Sequence, residues 1–189
     1  MELAGRRCIV TGGGRGIGRA IALALAEEGA RVALVARTRA ELDATAMLVA
    51  AGAEVLKLQA DVGRRAEVDA VIDQVLDTWD GVDVLVNNAG IQGPLGRAEE
   101  VDPEAWMQTV QVNLGGCFYC TRKVLPAMMA QKYGKIINLS GGGAVGPRPF
   151  FSAYSASKAA VVRFSENLAA EVAEYGIDVN SFAPGAVKT

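Results

Sequence analysis

Six short apolar runs alternate with longer stretches whose apolar residues recur at helical spacing. The runs cover residues 7–10, 31–35, 54–58, 82–86, 135–139 and 177–181. Their apolarity is nearly continuous rather than strictly alternating, as strands covered on both faces of a parallel sheet require. Between the third and fourth runs, Val68, Val71, Ile72, Val75, Leu76 and Trp79 fall at i, i+3, i+4, i+7 spacing and predict a helix over 64–79 with one buried stripe. Residues 104–131 and 153–175 read as two longer helices, apolar on more of their circumference than one sheet face can cover. In the second, Ala156, Ala159, Ala160, Val161, Phe164, Leu168 and Val172 occupy several faces. Surplus apolar helix surface seeks a partner. The pattern therefore predicts a homodimer or homotetramer joined through these helices, unless loops cover them. Strand and helix alternate throughout, so the expected class is α/β: a doubly wound parallel sheet with helices on both faces, its ligands at the carboxyl ends of the strands.

At 189 residues, without repeats, low-complexity tracts or a second composition regime, residues 1–189 read as one domain. A content of 51% hydrophobic and 21% charged residues excludes a disordered chain. The net charge of −2 is spread along the sequence and builds no positive field, so neither nucleic acid nor an anionic membrane is an expected partner. No apolar run approaches the ~20 residues that span a bilayer. The three cysteines cannot all pair, and Met1-Glu2-Leu3-Ala4 lacks the pattern of a secretory leader, which points to a reducing cytoplasmic setting. Cys117 and Cys120 lie one helical turn apart; a redox role would need an exposed, acidic thiol, and they read instead as buried and inert. There is no histidine. That excludes Ser-His-Asp and Cys-His catalysis and removes the commonest zinc ligand, so no metal is expected and any catalytic proton rides on another side chain.

Directly after the first strand comes Thr11-Gly12-Gly13-Gly14-Arg15-Gly16-Ile17-Gly18, followed by a helical Arg19-Ala20-Ile21-Ala22. Glycines let the backbone turn and approach a diphosphate, whose charge meets the N–H groups at the helix start. A glycine run alone is a weak signal; between a strand and a helix it marks a dinucleotide site. NAD sites place Asp or Glu at the end of the second strand for the ribose 2′-hydroxyl. This strand ends Val35-Ala36-Arg37-Thr38-Arg39. Guanidinium groups bind phosphate through charge-assisted hydrogen bonds. Arg15 and Arg37 together therefore predict NADP(H) rather than NAD(H).

Several stretches, spanning Arg7 to Thr189, together resemble the short-chain dehydrogenase/reductase family. They are Thr11 to Gly18 at the diphosphate, Asp61-Val62 at the adenine, Asn87-Asn88-Ala89-Gly90 after the fourth strand, Asn113, Tyr154-Ser155-Ala156-Ser157-Lys158, and Pro184-Gly185 with Val187 and Thr189 near the nicotinamide. The resemblance implies a Rossmann fold and hydride transfer between a nicotinamide and a carbonyl or alcohol carbon of a small molecule. It implies Tyr154 as general acid-base, Lys158 on the nicotinamide ribose, and Asn113 supporting a proton-relay water through its backbone. Tyr154 and Lys158, four residues apart, share one helix face. A free phenol holds its proton too firmly for exchange at neutral pH, and a nearby cation favours the ionised form. Asp61 also reads as a helix N-cap, and Asn87 to Gly90 as a turn.

Two features depart from the family. Its serine, thirteen residues before the tyrosine, is replaced here by Gly141. Either the neighbouring Ser140 rotates into its place, or turnover is slow, or another group serves; Ser140 is the favoured catalytic candidate. The C-terminal helix-strand unit and substrate loop of the family are missing after Thr189, which would leave the last strand at a sheet edge. Two functions remain open: an NADP(H)-dependent carbonyl reductase or alcohol dehydrogenase, and an idle NADP(H)-binding protein with a sensing or assembly role. Ile91, Gln92, Gly93, Ala144, Pro147, Phe150 and Phe151 suggest an apolar, loop-built substrate pocket.

Overall fold

A computed structural model describes residues 2–50 and 52–185. Each apolar run becomes a strand with ends shifted by no more than two residues: β1 (Arg7–Thr11), β2 (Arg31–Ala36), β3 (Val55–Gln59), β4 (Val84–Asn87), β5 (Gly134–Leu139) and β6 (Ile177–Phe182). They form one parallel sheet in the order β3-β2-β1-β4-β5-β6. The chain winds outward from β1 to β3 and then returns to β4 on the other side of β1. The carboxyl ends of β1 and β4 thus flank the switch point where such sheets open a ligand crevice.

Alternate strand residues feed two cores, because successive side chains leave opposite faces of the sheet. Ile9 joins Val68, Ile72 and Val75 of α3 (Arg65–Trp79), Val124 and Met128 of α5 (Gly116–Gln131) and Leu168 and Val172 of α6 (Ser152–Val172). Cys8 and Val10 join Ala22 and Ala26 of α1 (Gly16–Glu27) and Leu42 of α2 (Arg39–Ala46). Each fully buried Leu, Ile or Val contributes roughly 1.5–3 kcal/mol. At the amino ends of the strands, the buried Asp83 carboxylate accepts Arg7 Nε at 2.9 Å and Arg7 Nη2 at 3.0 Å. Burial opposes its charge, yet Arg7 outweighs it and holds the carboxyl below its usual range.

The helix expected over 104–131 is interrupted. Asp102 caps α4 (Pro103–Val110) by accepting from the Ala105 N–H at 2.8 Å, with Pro103 at the first position. A π-helical turn, Gln111–Gly115, then leads into α5. The expected stretch 153–175 is α6 followed by a 3₁₀ turn, Ala173–Tyr175, and Gly176 at φ +68. Among the described residues β3 and β6 are the two edge strands; at the β6 edge Phe182 is exposed and Lys135 of β5 pairs with Asp178. No described helix is long and apolar enough to cross a membrane.

Candidate active site

A cleft of about 390 Å³ opens at the carboxyl ends of β1, β2 and β4. Of the residues expected at a cofactor, Gly12, Gly14, Arg15, Gly16, Ile17, Gly18, Arg37, Asp61, Val62, Asn88, Ala89 and Gly90 all line it. The loop before α1 is packed backbone on backbone: a Cβ on Gly18 would lie 2.2 Å from the Gly12 carbonyl oxygen. Asn88 fixes this turn by donating to the carbonyls of Thr11 and Gly12 at 2.9 and 3.3 Å, while the Thr11 hydroxyl accepts from the N–H groups of Asn88 and Ala89 at 3.0 Å each. The first turn of α1 has neither a side-chain cap nor an acidic residue. Its free N–H groups and positive dipole end therefore border the cleft, the donor set a diphosphate needs. These residues fit a dinucleotide.

Gly90 joins this cleft to the proposed chemistry. A Cβ there would lie 3.1 Å from Asn113 Oδ1 and 3.4 Å from Lys158 Nζ. Lys158, 5% exposed, donates from Nζ to the Leu139 carbonyl at 2.6 Å and sits 5.9 Å from the centre of the Tyr154 ring. Burial pulls its pKa down to about 8, opposed in part by Cys117. Asn113, in the π-helical turn, accepts from the Ile91 N–H at 2.8 Å and donates to the Ile91 carbonyl at 2.9 Å and to Ser157 Oγ at 3.0 Å. Its side chain is thereby committed to holding the cleft wall, and π-turns recur at functional sites.

Ser140 does not take the place of the missing serine. Its hydroxyl turns inward, 3.5 Å from the Lys158 carbonyl, and its N–H donates to the Phe182 carbonyl at 2.8 Å. The cause is strand alternation, which sends residue 140 to the face opposite residue 141. Tyr154 instead occupies the space freed by Gly141, where a Cβ would lie 2.3 Å from the phenol oxygen. Asp61 does not cap α3 either: the N-cap is Arg64, and the Asp61 carboxylate closes a local turn by accepting from the Gly63 N–H at 2.9 Å. Pro184 and Gly185 follow β6 without lining the cleft; Val187 and Thr189 lie outside the described residues.

Two features escaped the sequence reading. Glu41 lines the cleft and lies 3.7 Å from the Arg15 guanidinium, so one of the two expected phosphate ligands has a carboxylate neighbour. Its signal was an acid in the first turn after the second strand. Asn87 donates to Asn138 Oδ1 at 2.9 Å and Thr121 Oγ1 at 3.0 Å, and Asn138 in turn donates to Ser165 Oγ at 2.9 Å. This buried chain ties β4, β5, α5 and α6 together beneath the site. Cys117 and Cys120 are buried and free, and burial pushes the Cys117 thiol up to about 12.

Residues 6–189 match the family described as short chain dehydrogenase. A 3-oxoacyl-[acyl-carrier-protein] reductase of Synechocystis sp. is 40% identical over 183 residues, 96% of this chain and 74% of that protein. The crystal structure of an NAD⁺-bound xylitol dehydrogenase aligns with a TM-score of 0.95 at 33% identity, covering 98% of this chain and 72% of the other. A metagenomic short-chain oxidoreductase in complex with NADP aligns with a TM-score of 0.93 at 37% identity, covering 99% and 85%.

Proposed function

The chain belongs to the short-chain dehydrogenase family, an oxidoreductase family that binds nicotinamide cofactors, and within it we propose an NADP(H)-dependent carbonyl reductase or alcohol dehydrogenase acting on a small organic molecule. The bound nicotinamide supplies or accepts the hydride at the substrate carbon. Tyr154 gives the substrate oxygen its proton in reduction and takes it in oxidation. Lys158 supports that transfer electrostatically and holds the nicotinamide ribose, and the backbone of Asn113 orders the relay water. Arg37, with Arg15, receives the 2′-phosphate, and the segment after β6 that begins with Pro184 and Gly185 serves the nicotinamide end. We assign this chemistry to one domain in the cytoplasm, in a homodimer or homotetramer. The oligomer reading rests on α5 and α6, where Phe118 is 44% exposed and packs edge-on against Phe164.

One observation carries the reading. Lys158 is buried with no carboxylate partner among the described residues, its Nζ held by a carbonyl beside the Tyr154 ring. An unpaired buried cation is costly, and such groups cluster at working sites. The test is NADPH consumption with a panel of ketones, aldehydes and 3-oxoacyl thioesters, for the wild type and Tyr154→Phe. The expected outcome is turnover that Tyr154→Phe lowers by about 10²- to 10⁴-fold while NADPH affinity holds. Tight NADPH binding with no turnover of any carbonyl would establish the second reading, an idle cofactor-binding protein. That reading is favoured by Gly141 and the inward hydroxyl of Ser140.

A further inference from the structure

The mouth of the site carries a cation that the proton-transfer pair does not use. Residues Arg148, Pro149, Phe150 and Phe151 make a turn closed by the Phe151 N–H donating to the Arg148 carbonyl at 3.2 Å. Phe150, in its third position, has φ +70. A turn with proline second and positive φ third is of type II, which favours glycine there, so a phenylalanine stores strain of roughly 1–3 kcal/mol. The surrounding structure holds it: the Gly96 N–H donates to the Phe150 carbonyl at 3.1 Å, and Trp106 Nε1 donates to Ser152 Oγ at 3.1 Å. Strain that is held in place from outside is characteristic of functional segments.

The turn fixes the Arg148 guanidinium 3.8 Å above the centre of the Phe151 ring and 5.9 Å from the centre of the Tyr154 ring. Tyr154 thus has two cations near its ring, since Lys158 Nζ also lies 5.9 Å from its centre. The two differ in what they face. Lys158 is buried and donates to Leu139, whereas Arg148 is exposed and forms no ion pair among the described residues. A guanidinium stacked on an aromatic face has lost much of its conformational freedom, and its N–H edge matches two oxygens of one anion.

We infer that Arg148 is a specificity residue selecting carbonyl substrates that carry an oxyanion, a carboxylate or a phosphate, near the reacting oxygen. The inference rests on Tyr154 as the proton-transfer group. The experiment compares a 3-oxo carboxylic acid, its uncharged amide and a keto phosphate as substrates of the wild type, Arg148→Gln and Arg148→Lys. Arg148→Gln should raise KM for the charged substrate about tenfold or more, with kcat and the constants for the amide changed less than about threefold; Arg148→Lys should restore part of the difference. The carboxylate and phosphate arms identify which oxyanion the site prefers. Equal losses on acid and amide, or no loss on either, would overturn the inference. Calorimetric binding of the acid and the amide decides the matter independently of turnover. The wild type should prefer the acid and Arg148→Gln should not, and a wild type without that preference refutes the assignment. Failure of the Tyr154 chemistry would abolish turnover of all three compounds and leave this binding contrast intact.

Discussion

At the cofactor end of the cleft, backbone lies against backbone: a Cβ on Gly18 would lie only 2.2 Å from the Gly12 carbonyl oxygen, and Asn88 pins both sides of the turn. At the loop after β5, the proposed substrate end, a Cβ on Gly142 or Gly146 would meet nothing within 4 Å, and Val145 is 84% exposed. The first end is built from the main chain on rigid elements, as suits a ligand whose diphosphate never varies. The second is built from side chains on a loop, where a family can alter specificity without disturbing the fold. Tyr154 and Lys158, on the first turns of α6, stand between the two.

The contrast can be broken most severely at Lys158. Lys158→Met should lower kcat/KM by about 10³-fold, by removing the electrostatic support of the phenol oxygen. It should also stabilise the fold. Burial lowers the lysine pKa from 10.5 to about 8, so between those values the unfolded chain holds a proton that the folded one has released, and wild-type stability rises with pH. The gain across that window is about 3 kcal/mol. Denaturant unfolding as a function of pH should show this rise in the wild type and a flat profile in Lys158→Met; parallel profiles would show that the lysine is not buried as described.

Next come the glycines. Gly18→Ala should weaken NADPH binding by roughly ten- to a hundredfold, because the neighbour it strikes is backbone and cannot yield. Gly142→Ala should change neither affinity nor stability by more than about 0.5 kcal/mol. Fluorescence titration with NADPH measures both, and similar effects at the two positions would erase the distinction between the ends. Gly141→Ser has a smaller expected effect. The new side chain supplies the missing hydroxyl but must push the phenol aside, so kcat should rise by no more than about tenfold, below the 10²- to 10³-fold of a preorganised donor. Ser140→Ala, assayed alongside, should leave the rate within about twofold. The smallest effect belongs to Glu41→Gln. Its ion pair with Arg15 is exposed and worth about 0–1 kcal/mol, so the preference for NADPH over NADH should rise by a fewfold. An unchanged ratio of kcat/KM values would remove Glu41 from cofactor choice.

The strands were legible because burial on both faces leaves an uninterrupted apolar signature, and the glycine loop because its context between β1 and α1 is as informative as its glycines. Tyr154 and Lys158 were singled out by the family resemblance, and helical spacing then put them on one face. What stayed hidden depends on partners distant in sequence. Asn113 meets Ile91 across 22 residues, so nothing local announced the π-helical turn. Glu41 reaches Arg15 only because α2 packs against the glycine loop, and the Ser140 hydroxyl, sent inward by strand alternation, meets the Lys158 carbonyl only because α6 docks there. Phe150 occupies a conformation its own residue type disfavours, which no propensity would assign to it.

The five residues Gln111–Gly115 insert one position more than a regular α-turn would hold, so the helices on either side are rotated about 100° out of phase. That offset lets a nearly continuous rod show one face to Ser152 through Trp106 and a different one to the sheet through Val124 and Met128. An engineer who deleted one residue to regularise the rod would swing α4 around its axis and break the grip on Ile91 in the same step. The irregularity behaves as a fixed elbow, and a change of chain length within it should be far less forgiving than a change of residue.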